Sequence, residues 1–443
     1  MQTLTTYVGF AALIGAGACA PAISGSADNV SRLEHAVAID PNAQGAHRSL
    51  GIAYFRAGQF DHAHVALTDA VRMDPRDGVA ALYLGLTDEQ TGDIAGARTA
   101  YETYLRVGQS RGAKNQIRDR LELLRLRQVQ LQAKQALADE GARAAVAGPK
   151  NTVAVMPFVF SGADTSLKPL ERGFAELVTT DLSQSAQLTV LERERMQAVL
   201  DEIALQHENS VAEGSGVRAG KILRVGRMVG GTIEQTANGL RADAVVTDLA
   251  TTEVGRPASD QETLDQIFAL EKNVVLQLFA NLGVQLTTAE RNAIEQRPTR
   301  SLAAFLAFSR GLELEDRGQL DQANRLFDNA SRIDPGFAAA QQKARESRSA
   351  TAGAQVSAAT VESRLRGTAE GALVSAATSN VDVITTSATL ASVADGLNPS
   401  VAGGATSGAA GASSQPAKDP SSATGADNVS SKTAKVTITV HKP

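Results

Sequence analysis

Apolar and polar positions change rhythm several times along this chain. From about residue 30 to 108 the apolar residues recur every three or four positions, the period of helices buried on one face. Residues 111–147 keep that period, with Leu121, Leu124, Val129 and Leu131 set among many charges. That spacing predicts one long amphipathic helix whose Arg and Lys form a solvated face. At residue 150 the texture changes. "KNTVAVMPF" (150–158) is a continuous apolar run ended by a proline, and "LTVLER" (188–193) is a second strand pattern. Between them residues 167–186 carry a helical stripe of Leu170, Phe174, Leu177, Val178 and Leu182. The helix pattern "ERMQAVLDEIALQ" follows, then "GKILRVGRMVGGTIEQ" and "LRADAVVTDLATTEV", which read as an antiparallel pair turned at Asn238-Gly239. A helix over 261–283 closes this region. The order β-α-β-α-β-β predicts a mixed sheet with helices packed against it.

Helical spacing returns after residue 286. From 346 onward Ala, Ser, Thr and Gly dominate, and such a segment lacks the apolar surface to offset its chain entropy. A low-complexity, mostly disordered tail to residue 443 is expected there. Only its last residues, "KVTITVHKP", alternate like a strand that would suit a sheet edge.

The helical ends repeat themselves. "AVAIDP" (36–41) and "AVRMDP" (70–75) stand thirty-four residues apart, and Gly51/Gly85, Gly58/Gly92 and Ala63/Ala97 keep that offset. Small residues at Gly51 and Ala63 let two helices approach, Gly58 allows a turn with positive φ, and Asp-Pro ends the pair. The late segment "FSRGLELEDRGQLDQANRLFDNASRIDP" repeats the pattern, with Gly311, Gly318, Ala323, Phe327, Ala330 and Pro335 in register. This set resembles the tetratricopeptide (TPR) family, and departs from it at Asp88, where that family carries an aromatic. The resemblance implies a concave partner-binding face lined by Arg48, Ile52, Phe55, Leu82, Leu86 and Glu89. For Ile52, Leu82 and Leu86 simple packing against neighbouring helices is the preferred reading.

In the middle region "VAVMPF", "LERERMQAVLDE", "GKILRVGRMVGGTI" and "ADAVVTDLATTEV" follow in the order seen in the CsgG-type domain of the curli secretion channel and its TolB-like relatives. The resemblance implies an assembly domain of the cell envelope, able to self-associate. Channel members also carry two long hairpins that build a membrane barrel. Here the corresponding places hold only "IEQTANGLRAD" and "RPASDQETLD", with neither the length nor the aromatic girdles of crossing strands. A pore-less relative is expected, with a component of a secretion pore as the alternative.

The expected fold is therefore an α+β multidomain chain: TPR-like helical hairpins flanking a CsgG-like α/β sandwich with a mixed sheet, plus a disordered tail. Its divisions fall at 1–19 (signal peptide), 30–108 (TPR-like repeats), 109–149 (capping helix), 150–285 (CsgG-like domain), 286–345 (third TPR-like unit) and 346–443 (tail).

Composition narrows the function. A net charge of −5 leaves no basic footprint for nucleic acid, and 4% aromatics without Trp leave no base-stacking platform. The single cysteine, Cys19, excludes a disulfide framework and a Cys-based zinc cluster. It ends "AGAC" after the short apolar run "YVGFAALIGAGA", which resembles a bacterial lipobox. Lipidation of Cys19 would anchor the chain to the outer membrane on its periplasmic side. An ordinary signal peptide cut near "ACA" or "APA" fits the same residues. "GSGVRAGKI" (214–222) fails as a phosphate loop, because Ser215 and Ile222 stand where glycine and Ser/Thr are needed. His62 and His64 read as solvent-facing helix residues. No catalytic residue, cofactor or metal is assigned, and a nucleotide-binding or hydrolytic enzyme is the weakest alternative. The expected partners are protein or peptide components of the envelope, with a homo-oligomer as a further outcome.

Overall fold

The computed structural model describes residues 22–378 apart from 145, 147 and 207–213. Cys19 and "KVTITVHKP" lie outside the described residues. Six helices come first: α1 (Ala22–Ile39), α2 (Gln44–Arg56), α3 (Phe60–Met73), α4 (Gly78–Thr91), α5 (Ile94–Val107) and α6 (Arg111–Ala138). A short α7 (Glu140–Ala144) leads to β1 (Thr152–Val155), β2 (Val159–Ser161), α8 (Leu170–Leu182), β3 (Thr189–Val190) and α9 (Arg193–Gln206). Then come α10 (Ser215–Ile222), β4 (Arg227–Thr236), β5 (Gly239–Asp248), β6 (Ala258–Glu262) and α11 (Ile267–Leu282). Helices α12 (Thr288–Ile294), α13 (Leu302–Asp316), α14 (Leu320–Ile333), α15 (Ala338–Ala354), α16 (Ala358–Leu365) and α17 (Ala369–Thr378) follow.

Three antiparallel hairpins, α2–α3, α4–α5 and α13–α14, share one construction. Each turns on a left-handed glycine, Gly58, Gly92 or Gly318, with φ of +72°, +81° and +70°. In each, a glycine of the first helix lies directly under a large side chain of the second: Gly51 under Leu67, Gly85 under Tyr101, Gly311 under Phe327. Asp88 replaces the expected aromatic for a visible reason. It is buried and pairs with Nδ1 of His64 on α3 at 2.6 Å, tying the first hairpin to the second. His64 is thus a hydrogen-bond partner of Asp88 as well as a surface residue.

The hairpins do not form two separate blocks. Helix α6 packs on α5, α15 packs on α6, and α14 packs on α15. Residues parted in sequence by the sheet are rejoined in one helical stack. Gly353 makes the junction close, since any side chain there would collide with the backbone carbonyl of Asp119 on α6. At the same place Arg120 is fully buried. Its Nη2 meets Glu89 Oε2 of α4 at 2.6 Å, and its Nη1 donates to the Gly353 carbonyl at 3.0 Å. The expectation of a solvated basic face on α6 therefore fails at its most important residue.

The sheet runs β3-β1-β4-β5-β6, with β2 added alongside the far half of β4. β1 is parallel to β3 and β4, while β4–β5 and β5–β6 are antiparallel. The core on one face joins Val153, Val229 and Ile233 to α8 and α11, and continues into α13–α15, where Phe268 meets Phe305 edge-on at 5.3 Å. A second core packs Ala154 and Met228 against α9, α10 and the end of α6. Several sequence expectations shift here. The β4–β5 turn is Ala237–Asn238, with Gly239 already paired to Thr236. "GVRAGKI" is helical, as α10, and β3 shrinks to two residues. Residues 258–262, of which 261 and 262 were expected to open a helix, form edge strand β6.

Ordered structure also reaches further than the composition after 346 implies. Helix α15 runs to Ala354, and α16 and α17 extend structure to Thr378. Val356, Val361, Leu365, Val374 and Ala377 join the core of the first six helices. Small residues between these few apolar anchors permit close packing, so a low-complexity composition still folds.

Edge strand β6 is closed by side chains of α11. The Gln277 amide accepts from the Ser259 N–H and donates to the Ser259 carbonyl, both at 3.1 Å, while Asn281 donates to the Arg256 carbonyl at 2.9 Å. An unpaired edge is a template for another strand, and these amides occupy it. Gln277→Ala removes two hydrogen bonds and should cost about 1–2 kcal/mol in denaturant unfolding. It should also raise concentration-dependent self-association in light scattering. An unchanged mass at every concentration would mean that Gln277 does not guard the edge.

Candidate partner-binding groove

The six groove residues expected from sequence lie on α2 and α4, and the structure buries nearly all of them. Ile52 and Leu82 are fully buried, Leu86 almost so, and Phe55 packs edge-on against Tyr83 at 5.5 Å between ring centres. Arg48 donates to the Asp77 carboxylate at 2.7 Å, and Asp77 in turn caps the start of α4 by accepting from the Ala80 N–H. Glu89 is consumed by Arg120. Of the six only Arg48 keeps partial exposure, and the chain's own α16 and α17 pack on these and the neighbouring helices.

Helix α17 packs on α2 and α4, and α16 packs on α6. Two carboxylates fix the cover. Glu362 of α16 accepts from the Tyr83 hydroxyl and from Arg56 Nη2, the latter at 3.1 Å. Glu370 of α17 is buried and accepts from the Tyr104 hydroxyl at 3.2 Å and from the Gln109 and Ser110 N–H groups at 2.9 and 3.0 Å. Ser110 adds a hydroxyl bond to the Arg364 carbonyl at 2.9 Å, and Asn29 of α1 donates to the Ala377 carbonyl at 3.2 Å. Burial, with Glu362 beside it, pushes the Tyr83 hydroxyl well above its ordinary range, so it serves as a donor and not as a phenolate.

Sequence reasoning missed Arg56, Tyr83, Tyr104, Glu362 and Glu370. One signal was present: Tyr83 and Tyr104 carry hydroxyls at helix positions otherwise apolar, and a buried hydroxyl needs a partner. Nothing in the sequence pointed to carboxylates some 260 residues or more away.

The sheet domain is held to the stack by buried ion pairs. Arg193 at the start of α9 engages Glu176 at 3.0 Å, Glu315 at 3.1 Å and Asp316. Glu194 is shared by Arg125 of α6 and Lys343 of α15, each at 2.5 Å. Burial alone would raise the Glu194 carboxyl, but Lys343 and Arg125 outweigh it and hold it well below the usual carboxylate range. Glu194, in the first turn of α9, is the centre of this junction. The adjoining cleft of about 490 Å³ exposes these same paired groups, so its cations are already neutralised.

The β4–β5 hairpin was expected to be too short to cross a bilayer. Each strand has ten residues, within the roughly 9–11 that a crossing strand needs, so length does not exclude it. Its chemistry argues otherwise. Neither strand carries an aromatic residue, exposed Glu234 lies opposite exposed Arg241, and Thr232 lies opposite Asp243. Val229, Ile233, Leu240, Ala242, Ala244 and Val246 are buried against α8 and α11, and on the opposite face Met228 joins the second core while the half near the turn is polar and charged.

A family model described as "Curli production assembly/transport component CsgG" matches residues 124–262. The match begins at Leu124 within α6 and ends at Glu262, the last residue of β6, so it takes in all six strands and omits α11. No curated protein matches the chain. The ordered strands and helices of the middle region and this match agree: the chain carries a CsgG-type domain, set within a stack of helical hairpins.

Proposed function

We propose that this chain is a non-enzymatic scaffold or assembly factor of the cell envelope, working through partner binding on its TPR-like helices and through its CsgG-type domain. The family description concerns curli production, assembly and transport, and a secretion-related assembly or transport role follows for this domain. The observation that carries the scaffold reading is that the apolar face of β4 and β5 is spent in the core against α8 and α11, so that lipid would meet only the face bearing exposed Glu234 and Arg241. A charged side chain facing lipid at mid-membrane costs about 2–4 kcal/mol each. The positions 151–285 supply the assembly surface, positions 30–108 and 286–345 the repeats, and self-association into a homo-oligomer accords with the domain type.

A pore component is the second reading, favoured by strand lengths that reach bilayer scale. Recordings on planar lipid bilayers with purified full-length protein separate the two. The scaffold reading expects no stepwise conductance at any protein concentration, and reproducible unitary steps would replace it with the pore.

The lipid anchor at Cys19 places the scaffold on the periplasmic side of the outer membrane. Cys19→Ser should abolish incorporation of labelled palmitate and move the protein from the membrane to the soluble periplasmic fraction. Equal membrane retention of the variant would remove the anchor from this reading.

A further inference from the structure

The face covered by α16 and α17 has the chemistry of a receptor. Arg56 with Tyr83 forms one carboxylate socket, and Tyr104 with the Gln109 and Ser110 N–H groups forms another. Covered by a partner without carboxylates, each socket would hold donors without acceptors, so the face favours an acidic occupant. The present occupant is short. Helix α16 has eight residues and α17 has ten, joined through Gly367 at φ +77°. Helices of that length are marginal alone and depend on what they pack against. The segment's apolar contribution rests on Val356, Val361, Leu365, Val374 and Ala377, while Leu373 remains 38% exposed. The sequence match to the CsgG family ends well before this segment.

We propose that residues 356–378 are an exchangeable cis occupant of this groove, and that its trans partner is a helical segment presenting two carboxylates about eight positions apart, as Glu362 and Glu370 do. The proposal rests on the partner-binding reading above and makes that binding conditional. An incoming pair of short helices with the same two carboxylates and a stripe like Val361–Leu365 replaces the carboxylate and apolar contacts it breaks. The cis segment, tethered through Gln355 to α15, competes at the high effective concentration of a short linker. Apparent affinity for a trans helix is then reduced by the fraction of molecules whose groove is open.

The test uses full-length protein and a fluorescent synthetic peptide copying residues 356–378. Wild-type protein should bind the peptide weakly in anisotropy titrations. The Glu362→Gln/Glu370→Gln double variant, whose own segment holds less tightly, should bind it at least about tenfold more tightly. Adding Arg56→Met to that variant should remove most of the gain, and a peptide carrying both Gln substitutions should bind about tenfold more weakly than the acidic one. Equal affinity of wild type and double variant would overturn the proposal. Hydrogen exchange on the wild-type chain needs no variant to fold: amides of residues 358–378 should exchange faster than those of α4. Protection equal to that of α4 would make the segment a fixed part of the stack and overturn the exchange, leaving the scaffold reading to stand on the bilayer recordings. Conductance together with peptide exchange would remove the scaffold and leave the groove proposal intact.

Discussion

A single buried guanidinium joins the parts of this molecule. Arg120 has no exposed surface, yet it meets a carboxylate from α4 and a carbonyl from α15. Three helices from distant parts of the chain are thus fixed to one planar group, whose fork geometry tolerates little displacement. Burying such a charge is expensive, and removing one partner of a buried pair costs about 3–5 kcal/mol because the other is left uncompensated. Gly353 brings the α15 backbone within reach, and the charge then requires it to stay. The helical stack is continuous for that reason, although the sheet domain interrupts it in sequence.

That continuity determines how the CsgG-type domain is presented. Arg193, Glu194, Glu315 and Lys343 seat α9 against α6, α13 and α15, and the apolar core of the sheet continues into the third hairpin. The sheet is therefore held by helices on both sides of it in sequence. Its edge at β6 is closed by Gln277, and its hairpin shows charge outward. The face of α2, α4 and α6 is in turn packed by α16 and α17 of the same chain.

Much of this was legible in the sequence because repetition exposes packing rules. The thirty-four-residue offset and the paired glycines located the hairpins, since only a small residue fits under Leu67 or Tyr101. The ordered strands of the middle region located the sheet. Strand β6 was not legible, because "ASDQE" has no apolar alternation and owes its pairing to β5 and to amides of α11. Helices α16 and α17 were hidden by an Ala- and Ser-rich composition whose few anchors matter only against a preformed face. Arg120 looked like any other basic residue in a charged helix. Its role depends on Glu89, thirty-one residues earlier, and on Gly353, far later, a convergence that local periodicity does not encode.

The most direct measurement is residue-resolved hydrogen exchange on the full-length chain with Arg120→Met. If the guanidinium joins α4, α6 and α15, protection falls in all three helices together, by a factor corresponding to about 3–5 kcal/mol. Loss confined to α6, with α4 and α15 as protected as in the wild type, would contradict the account.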